Sequence, residues 1–191
     1  DCFLECCGKY ALSRREEDAY RLRGCPTPDR FLHLTTGILP TETLLAVAHR
    51  YGVTAGVFLS AVMAEAVCEI QAAKKPFRRW RPVKITIPVD LRKLFGTETL
   101  RNFALVANIG LDPRTGEYPL EQLCSQMAHQ LAVEVTPQRM ASKIAANVNP
   151  QRCLLIQVMP LFIKNFVMRR VYASTGERKG CLNISNLGPV R

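Results

Sequence analysis

The sequence lacks any apolar run long enough to cross a membrane. Its longest, Leu154 to Ile163, is interrupted by Gln157 and Pro160, whereas a membrane-spanning helix needs roughly 20 predominantly apolar residues. No signal peptide is recognisable at the start, Asp1 to Glu5, which also lacks an initiator Met. We therefore expect no membrane partner, a cytoplasmic location, and a chain that is an internal piece of a longer protein.

The eight cysteines lack the spacing of a metal site. Cys-x-x-Cys does not occur, and no histidine lies near the cysteines between residues 2 and 7, so the usual pattern of zinc ligands is missing. Cys68, Cys124 and Cys153 fall within helix-like apolar patterns, where cysteine behaves as a small buried hydrophobe. The sequence therefore predicts reduced thiols and no bound metal.

Acidic residues are few, since 16 Asp and Glu stand against 26 Lys and Arg and give a formal net charge of +10. Such a balance is compatible with nucleic acid, with another anionic ligand, or with an acidic partner half. The basic residues occur in short dispersed groups such as Arg78-Arg79-Trp80-Arg81, and none reaches the length of a basic tail. We therefore expect a solvated basic surface and no nucleic-acid partner.

Residues 1–30 show no sustained hydrophobic period. We interpret them as a linker or crossover segment that precedes a domain of residues 31–191. Within the segment, Ser13 to Arg23 is predicted to form one short helix, because Ser13 and Glu16 have the spacing of a capping box.

Proline, threonine and glycine mark the ends of the predicted helices. One helix opens at Pro40 or Thr41 and stops at Gly52. The next, from Thr54 to Ala72, is apolar nearly all round, which is typical of a buried helix. Further helices are predicted from Pro119 to Val135, from Pro137 to Val148, and from Gln151 to Tyr172 with a bend near Pro160.

Alternating apolar residues predict the main strand, from Val83 to Asp90, with one buried side. Pro88 lacks a backbone N–H and therefore belongs at a sheet edge or near the end of this strand. Further strands are predicted at Phe31–Thr36, Phe103–Ile109 and Cys181–Ser185. This order of elements indicates an α/β domain in which helices cover a sheet. The strands are too few to close a good sheet, which agrees with a piece of a larger protein.

Charged and polar residues follow the main strand, in Pro88-Val89-Asp90-Leu91-Arg92 and then in Arg101-Asn102-Phe103. Because the strand buries its apolar side, Asp90 points the other way, and so does Arg92 if the alternation continues. An arginine in that position can form a bidentate pair with a carboxylate. The alternative is a local structural ion pair of Arg92 with Asp90 or Glu98.

A second polar segment, Asn183-Ile184-Ser185-Asn186-Leu187-Gly188, follows the last predicted strand. Asn183 and Ser185 project from one face of that strand. Amides and hydroxyls at a strand end can donate hydrogen bonds to a carbonyl or a developing oxyanion. The alternative is a simple turn, because Asn and Gly are common turn residues.

These two segments carry a family resemblance. Pro88-Val89-Asp90-Leu91-Arg92-Lys93-Leu94-Phe95, followed by Thr99-Leu100-Arg101-Asn102-Phe103, resembles bacterial alcohol acetyltransferase-like proteins. These belong to the CoA-dependent acyltransferase superfamily, with chloramphenicol acetyltransferase and the condensation domains of peptide synthetases. Ile184-Ser185-Asn186-Leu187-Gly188 is similar to the strand-end motif in the second half of such proteins. The likeness extends from Ala19 to Val190.

The resemblance implies a layered α/β subdomain, the second of two similar halves around a solvent tunnel. In such proteins the histidine of a His-x-x-x-Asp motif in the first half deprotonates the acceptor alcohol, which attacks the thioester of CoA or of a pantetheine arm. The implied co-substrate is acetyl-CoA, with no metal, and the implied partners are a small alcohol and the N-terminal half. Arg92, Asn102, Ser185 and Asn186 are implied to line the tunnel or support the site.

No His-x-x-x-Asp occurs in this chain. His33 lies in a predicted strand, His49 lies in the last turn of a helix where a cation suits the helix dipole, and His129 lies beside an apolar row. We expect all three to be structural, with no catalytic residue in this chain. The chain alone should then be inactive, since a general base contributes about 10²- to 10⁴-fold to the rate.

Two other functions remain open from the sequence. A basic half-domain could bind CoA phosphates or the acidic surface of a carrier protein without performing chemistry. A basic RNA-binding domain using residues 78–81 predicts an affinity that falls steeply with salt, but no known nucleic-acid-binding motif supports it. An absent covering half would also leave apolar surface exposed, so we expect the chain to self-associate.

Overall fold

The computed structural model of the chain describes residues 2–6, 16–24, 28–29, 31–149, 158–176 and 178–186. The helices are α1 (Cys2–Glu5), α2 (Thr41–Arg50), α3 (Ala55–Lys74), α4 (Leu91–Phe95), α5 (Leu120–Glu134), α6 (Pro137–Val148) and α7 (Leu161–Val171), and the strands are β1 (Val83–Asp90), β2 (Ala104–Leu111) and β3 (Leu182–Asn183). Short 3-10 helices lie at Phe77–Arg79 and Pro113–Thr115, and a π-helical turn lies at Tyr172–Gly176. The described residues thus form helices and one mixed sheet, and the α/β class expected from the sequence is confirmed.

The three strands of the described residues lie in the order β2-β1-β3. β1 is antiparallel to β2 along its whole length, with Asp90 opposite Ala104. It is parallel to β3, with Thr86 opposite Asn183. The end of β1 and the beginning of β2 therefore lie at the same end of the sheet, which we call the Asp90 end, and β3, whose last residue lies opposite Thr86, runs toward that end.

Pro88 lies inside β1 without interrupting the pairing with β2. The carbonyls of Lys84 and Thr86 accept hydrogen bonds from the N–H groups of Cys181 (2.7 Å) and Ile184 (3.0 Å), so alternate residues of β1 face β3. By the same alternation, the backbone nitrogen of Pro88 faces the β3 side of β1 and not β2. It lies beyond Thr86, the last residue of β1 that pairs with β3. The missing N–H costs no bond to β2, and the prediction that Pro88 lies near the strand end is confirmed.

One face of the sheet is covered by α3 and α5. Val83, Ile85 and Ile109 point to this face and are almost completely buried. They pack against apolar side chains of the two helices, namely Val57, Ala61, Ala64, Val67, Leu123, Cys124 and Met127. Each such aliphatic side chain contributes about 1.5–3 kcal/mol when fully buried. The helical period of α5 therefore correctly predicted its buried side.

The same face continues toward the Asp90 end, where α4 and α6 cover it. A second group of buried side chains lies there, comprising Leu91, Phe103, Ala107, Met140, Ile144 and Val148. Thr136 caps α6, since its hydroxyl accepts the N–H of Arg139 (3.4 Å), and Pro137 occupies the first turn. The predicted start of this helix at Pro137 is confirmed.

α3 is buried along one stripe only. Val62, Met63 and Ile70 are 37%, 42% and 37% exposed on its outer side. The prediction that this apolar helix is buried all round is therefore wrong, because in the described residues its contacts come from the sheet, α5 and α2. Contrary to the expectation that no apolar segment is long enough, α3 meets the length and composition criteria for a membrane-crossing helix, which core helices of soluble proteins also meet.

Residues 16–24 are extended rather than helical. The helix predicted to start at Ser13 is wrong for these residues, and Ser13 itself lies outside the described part of the chain. Glu16 pairs with Lys84 of β1 (3.0 Å) instead of completing a capping box. Tyr20 is only 6% exposed. Tertiary contacts with the sheet therefore outweigh the local helix preference.

Residues 31–40 have no regular structure, so the strand predicted at Phe31–Thr36 is wrong. Phe31, Leu32 and Leu34 are 77%, 84% and 84% exposed, and no described strand pairs with this segment. An extended segment becomes a strand only where a neighbour takes up its backbone hydrogen bonds.

Pro160 precedes α7 as its N-cap residue instead of bending a longer helix. The helix predicted from Gln151 to Tyr172 is confirmed from Leu161 to Val171, and residues 151–157 lie outside the described part of the chain. The strand predicted at Cys181–Ser185 is confirmed over Leu182–Asn183.

Candidate functional site

β1 leads directly into α4 at Asp90, which is the N-cap residue of that helix. Its carboxylate accepts hydrogen bonds from the backbone N–H and from Nε of Arg92, both at 3.0 Å. These bonds hold the pKa of Asp90 below its ordinary value, so the carboxylate stays ionised. The strand alternation does not continue to Arg92, because the chain becomes helical there. The local Asp90–Arg92 pair left open by the sequence is therefore present, with both side chains nearly half exposed.

Asn102 lies just before β2 with its side chain exposed. Its neighbour Phe103 is 1% exposed, and the Phe103 carbonyl accepts the N–H of Leu91 (3.0 Å). Nη1 of Arg92 donates to the carbonyl of Thr99 (3.5 Å). The loop between α4 and β2 is thus held against the start of α4 and leaves the Asn102 amide accessible.

Ser185 and Asn186 follow β3 and are both exposed. The preceding residue, Ile184, donates its N–H to the carbonyl of Thr86 (3.0 Å). This bond continues the β1–β3 pairing by one residue and directs the chain toward the Asp90 end. Gly188 of the same motif lies outside the described residues.

The fold directs the segments of all four predicted site residues toward the Asp90 end of the sheet, although β3 itself ends opposite Thr86, four residues before Asp90. Arg92 follows the end of β1, Asn102 precedes β2, and Ser185 and Asn186 follow β3. β1 is the central strand, and neighbouring strands lie about 4.8 Å apart. Residues far apart in the sequence therefore follow or precede three adjacent strands, and they offer a guanidinium, two amides and a hydroxyl.

These groups can bind and polarise a carbonyl, but they include no general base. His33 and His49 are exposed, in the 31–40 segment and in the last turn of α2. His129 lies on α5 next to Gln130, and the Gln130 amide binds the backbone of Gly110. Gly110 lies opposite Lys84, near the start of β1, so His129 is far from the Asp90 end. Asp90 is engaged by Arg92. Among the described residues, the Asp90 end can therefore position an acyl group but has no histidine to activate an acceptor.

A concave surface lies near the start of β1, at the end of this strand opposite to Asp90. It encloses about 1170 Å³. We call it the basic cleft, and its charged lining consists of Arg21, Arg23, Lys74, Lys75, Arg78, Arg79, Arg81, Arg114 and Arg178, with Glu17 and Asp18. Sequence reasoning missed this site, because basic groups that are dispersed along the chain meet there only after folding. The Arg78-Arg79-Trp80-Arg81 run was the part of it visible in the sequence.

The cysteine thiols that the structure describes show no sign of activation. In the described residues, Cys2, Cys6, Cys68, Cys124 and Cys181 are free, and no group of three or more His, Cys, Asp or Glu side chains could hold a metal ion. Burial raises the pKa of Cys68 to about 11, with smaller contributions from nearby Cys181 and Glu65. A thiol with that pKa stays protonated at neutral pH and is a poor nucleophile.

No protein-family model, curated protein or solved structure matches the chain. The functional argument therefore depends on the two sites described above.

Proposed function

We propose that this chain forms one wall of the acyl-transfer site of a CoA-dependent acyltransferase of the alcohol acetyltransferase type. The observation that supports the proposal is the position of Arg92, Asn102, Ser185 and Asn186 beside three neighbouring strands, in segments that begin at or run toward the Asp90 end of the sheet. The sequence resemblance assigned these residues to one site, and the parallel pairing of β1 with β3 supports that assignment.

The proposed chemistry is transfer of an acetyl group from acetyl-CoA to a small alcohol. The alcohol oxygen forms a bond to the thioester carbonyl carbon, the C–S bond breaks, and the proton passes from the alcohol through a base to the departing CoA sulfur. The Ser185 hydroxyl and the Asn186 amide are suited to stabilise the carbonyl oxygen as it gains negative charge. Arg92, oriented by Asp90, is suited to bind a carboxylate of the other half.

The general base is assigned to a second half of the protein, in agreement with the resemblance. Exposed apolar side chains support an additional partner surface. α7 has no buried residue, and Leu161, Phe162 and Phe166 are 70%, 74% and 65% exposed. Exposed apolar surface of this kind usually marks an interaction site. The isolated chain should accordingly self-associate, and a strict monomer at high concentration in light scattering would contradict this expectation.

The proposal is tested with the complete protein as the cell makes it. Acetyl-CoA and a panel of small alcohols are supplied, and loss of the thioester is followed by its ultraviolet absorbance, which avoids thiol reagents that would label the cysteines. We expect turnover by the complete protein and none by these 191 residues alone. Loss of an oxyanion donor in Ser185→Ala should lower kcat by about 10²-fold.

Arg101→Gln is the matched control for Arg92→Gln. Arg101 is also exposed and lies in the loop that follows α4, but among the described residues only Arg92 pairs with Asp90. We expect Arg92→Gln to impair transfer and Arg101→Gln to leave it unchanged. If no alcohol leads to thioester consumption but calorimetry shows that CoA binds, the protein is a non-catalytic CoA-binding module and the proposed enzymatic activity is wrong.

A further inference from the structure

We propose that the basic cleft binds a free nucleotide that carries two or more phosphate groups. The cleft is slightly larger than the roughly 300–1,000 Å³ of most small-molecule sites, with a volume of about 1170 Å³. It lies near the start of β1, and the Asp90 end lies about 23 Å away at the usual rise along an eight-residue strand. This proposal does not depend on the proposed acyl transfer.

The charge balance of the cleft favours a multiply charged anion. Nine basic side chains face two carboxylates in the lining. Glu17 is already paired with Arg114 (2.9 Å), and Asp18 lies within 4 Å of Arg81, Arg178 and Lys179. In the part of the chain that the structure describes, five cations of the lining form no ion pair, namely Arg23, Lys74, Lys75, Arg78 and Arg79.

Phosphate is the anion that suits this set best. The arginine guanidinium presents several N–H donors in a fixed plane that matches phosphate oxygens, and lysine adds a compact charge. Arg78 and Arg79 lie on one short 3-10 helix, Phe77–Arg79, and Lys74 and Lys75 lie at the end of α3 just before it. Cations held together on such a short stretch repel one another unless an anion neutralises them.

Trp80 supplies the surface for the organic part of the ligand. Its indole lines the cleft and is held in place by a hydrogen bond from Nε1 to the Lys75 carbonyl (3.0 Å). Phe77 packs against it with ring centroids 5.0 Å apart. A fixed aromatic ring beside cations is the arrangement on which a nucleobase stacks.

A single stacking residue favours one nucleotide over a strand. Proteins that bind single-stranded nucleic acid use successive aromatic side chains for successive bases. The other aromatic residue in the cleft lining is Tyr20, which is buried. The geometry therefore points to a nucleoside diphosphate or triphosphate.

Trp80 is the one tryptophan of the chain, so its fluorescence reports specifically on this cleft. The 191-residue chain is titrated with ADP, ATP, adenosine, tripolyphosphate and a thymidine oligonucleotide, with correction for light absorbed by the ligand. We expect ADP and ATP to change the fluorescence saturably, adenosine to have no effect, and tripolyphosphate to displace ADP. Oligonucleotide binding at least about tenfold tighter than ADP would overturn the assignment to a free nucleotide.

The matched variants separate a local site from the general attraction of a basic protein. Arg78→Gln/Arg79→Gln removes two cleft charges, and Arg169→Gln/Arg170→Gln removes two exposed charges from the last turn of α7. We expect the first double variant to raise the Kd for ADP at least about tenfold and the second to change it less than about twofold. Equal effects of the two variants, or no saturable response to ADP or ATP, would overturn the proposal.

Discussion

The loop that forms part of the basic cleft is fixed to α3 by one buried glutamine. Gln71 is completely buried. Its Nε2 donates to the Arg81 carbonyl (3.0 Å), and its Oε1 accepts the Arg81 N–H (2.9 Å). We predict that Gln71→Met, which keeps the length and apolar packing of the side chain, strongly destabilises the fold.

The size of the expected loss in the free energy of unfolding follows from the burial of the Gln71 side chain. The substitution leaves one backbone donor and one backbone acceptor of Arg81 facing an apolar side chain. Leaving a buried polar group without a partner costs about 1–3 kcal/mol, so two such groups cost about 2–6 kcal/mol, and less where water reaches the backbone of the exposed Arg81. That is a large part of the roughly 5–15 kcal/mol by which a domain is stable.

Gln130→Met is the matched comparison. Gln130 makes the same pair of bonds to another backbone, with Oε1 accepting the Gly110 N–H (2.8 Å) and Nε2 donating to its carbonyl (2.9 Å). Gln130, however, is only half-buried and bonds to the outer edge of β2, so water can take up part of the lost bonds even though Gly110 is buried. We expect this variant to lose less free energy of unfolding than Gln71→Met.

Urea unfolding followed by far-ultraviolet circular dichroism gives the free energy of unfolding of each variant. Trp80 fluorescence adds a local probe, because its ring is bonded to Lys75 within the same loop. Equal losses in the two variants would refute the reasoning that burial determines the cost. A loss below about 1 kcal/mol in Gln71→Met would refute it as well.

Three further outcomes are expected. Gly110→Ala should lower the free energy of unfolding by about 2 kcal/mol or more, because the new Cβ would lie 2.0 Å from the Val83 carbonyl oxygen. Gly56→Ala is the control and should not destabilise the protein, because no atom lies within 4 Å of its new Cβ. Equal urea unfolding midpoints for the two variants would contradict this prediction. Hydrogen bonds from arginine hold the pKa of Asp90 and Asp112 below the ordinary value, so the folded state binds fewer protons than the unfolded state near that value. The stability that these carboxylates contribute is present above about pH 4 and is lost as the pH falls through the lowered pKa values. Urea unfolding midpoints measured between about pH 6 and 3 should therefore fall, and midpoints that do not change with pH would disprove the prediction. Cys68, with a pKa raised to about 11, should be alkylated at pH 8 about 100-fold more slowly than free cysteine, and rapid labelling of its peptide in mass spectrometry would show that the thiol is not protected by burial.

Local patterns predicted the elements that have a strong period and a clear boundary. The alternation through Val83, Ile85 and Ile87 predicted β1, and the proline at residue 137 predicted the start of α6. The failures share a physical cause. Residues 16–24 were predicted to be helical from a capping-box spacing yet contact β1 without forming a helix, and residues 31–36 alternate like a strand yet have no described neighbour to pair with.

The two sites differ in how far the sequence could reveal them. Arg92, Asn102, Ser185 and Asn186 occur in short segments at predicted strand ends, so the sequence could name them. It could not show that Asp90 engages Arg92, because that bond depends on the chain turning into α4. The basic cleft required residues from four separate segments to meet, and no local pattern indicates such a meeting.

By itself the sequence determined the α/β class, the helices and strands with a regular apolar period, and the lack of a His-x-x-x-Asp base within these 191 residues. These properties depend on neighbouring residues, through backbone preference and side-chain alternation. Only the tertiary structure decided that β1 and β3 run parallel and that the scattered cations share one cleft. Strand pairing and charge clustering depend on contacts between residues distant in the chain, which form only when the apolar faces of the sheet and helices are buried together.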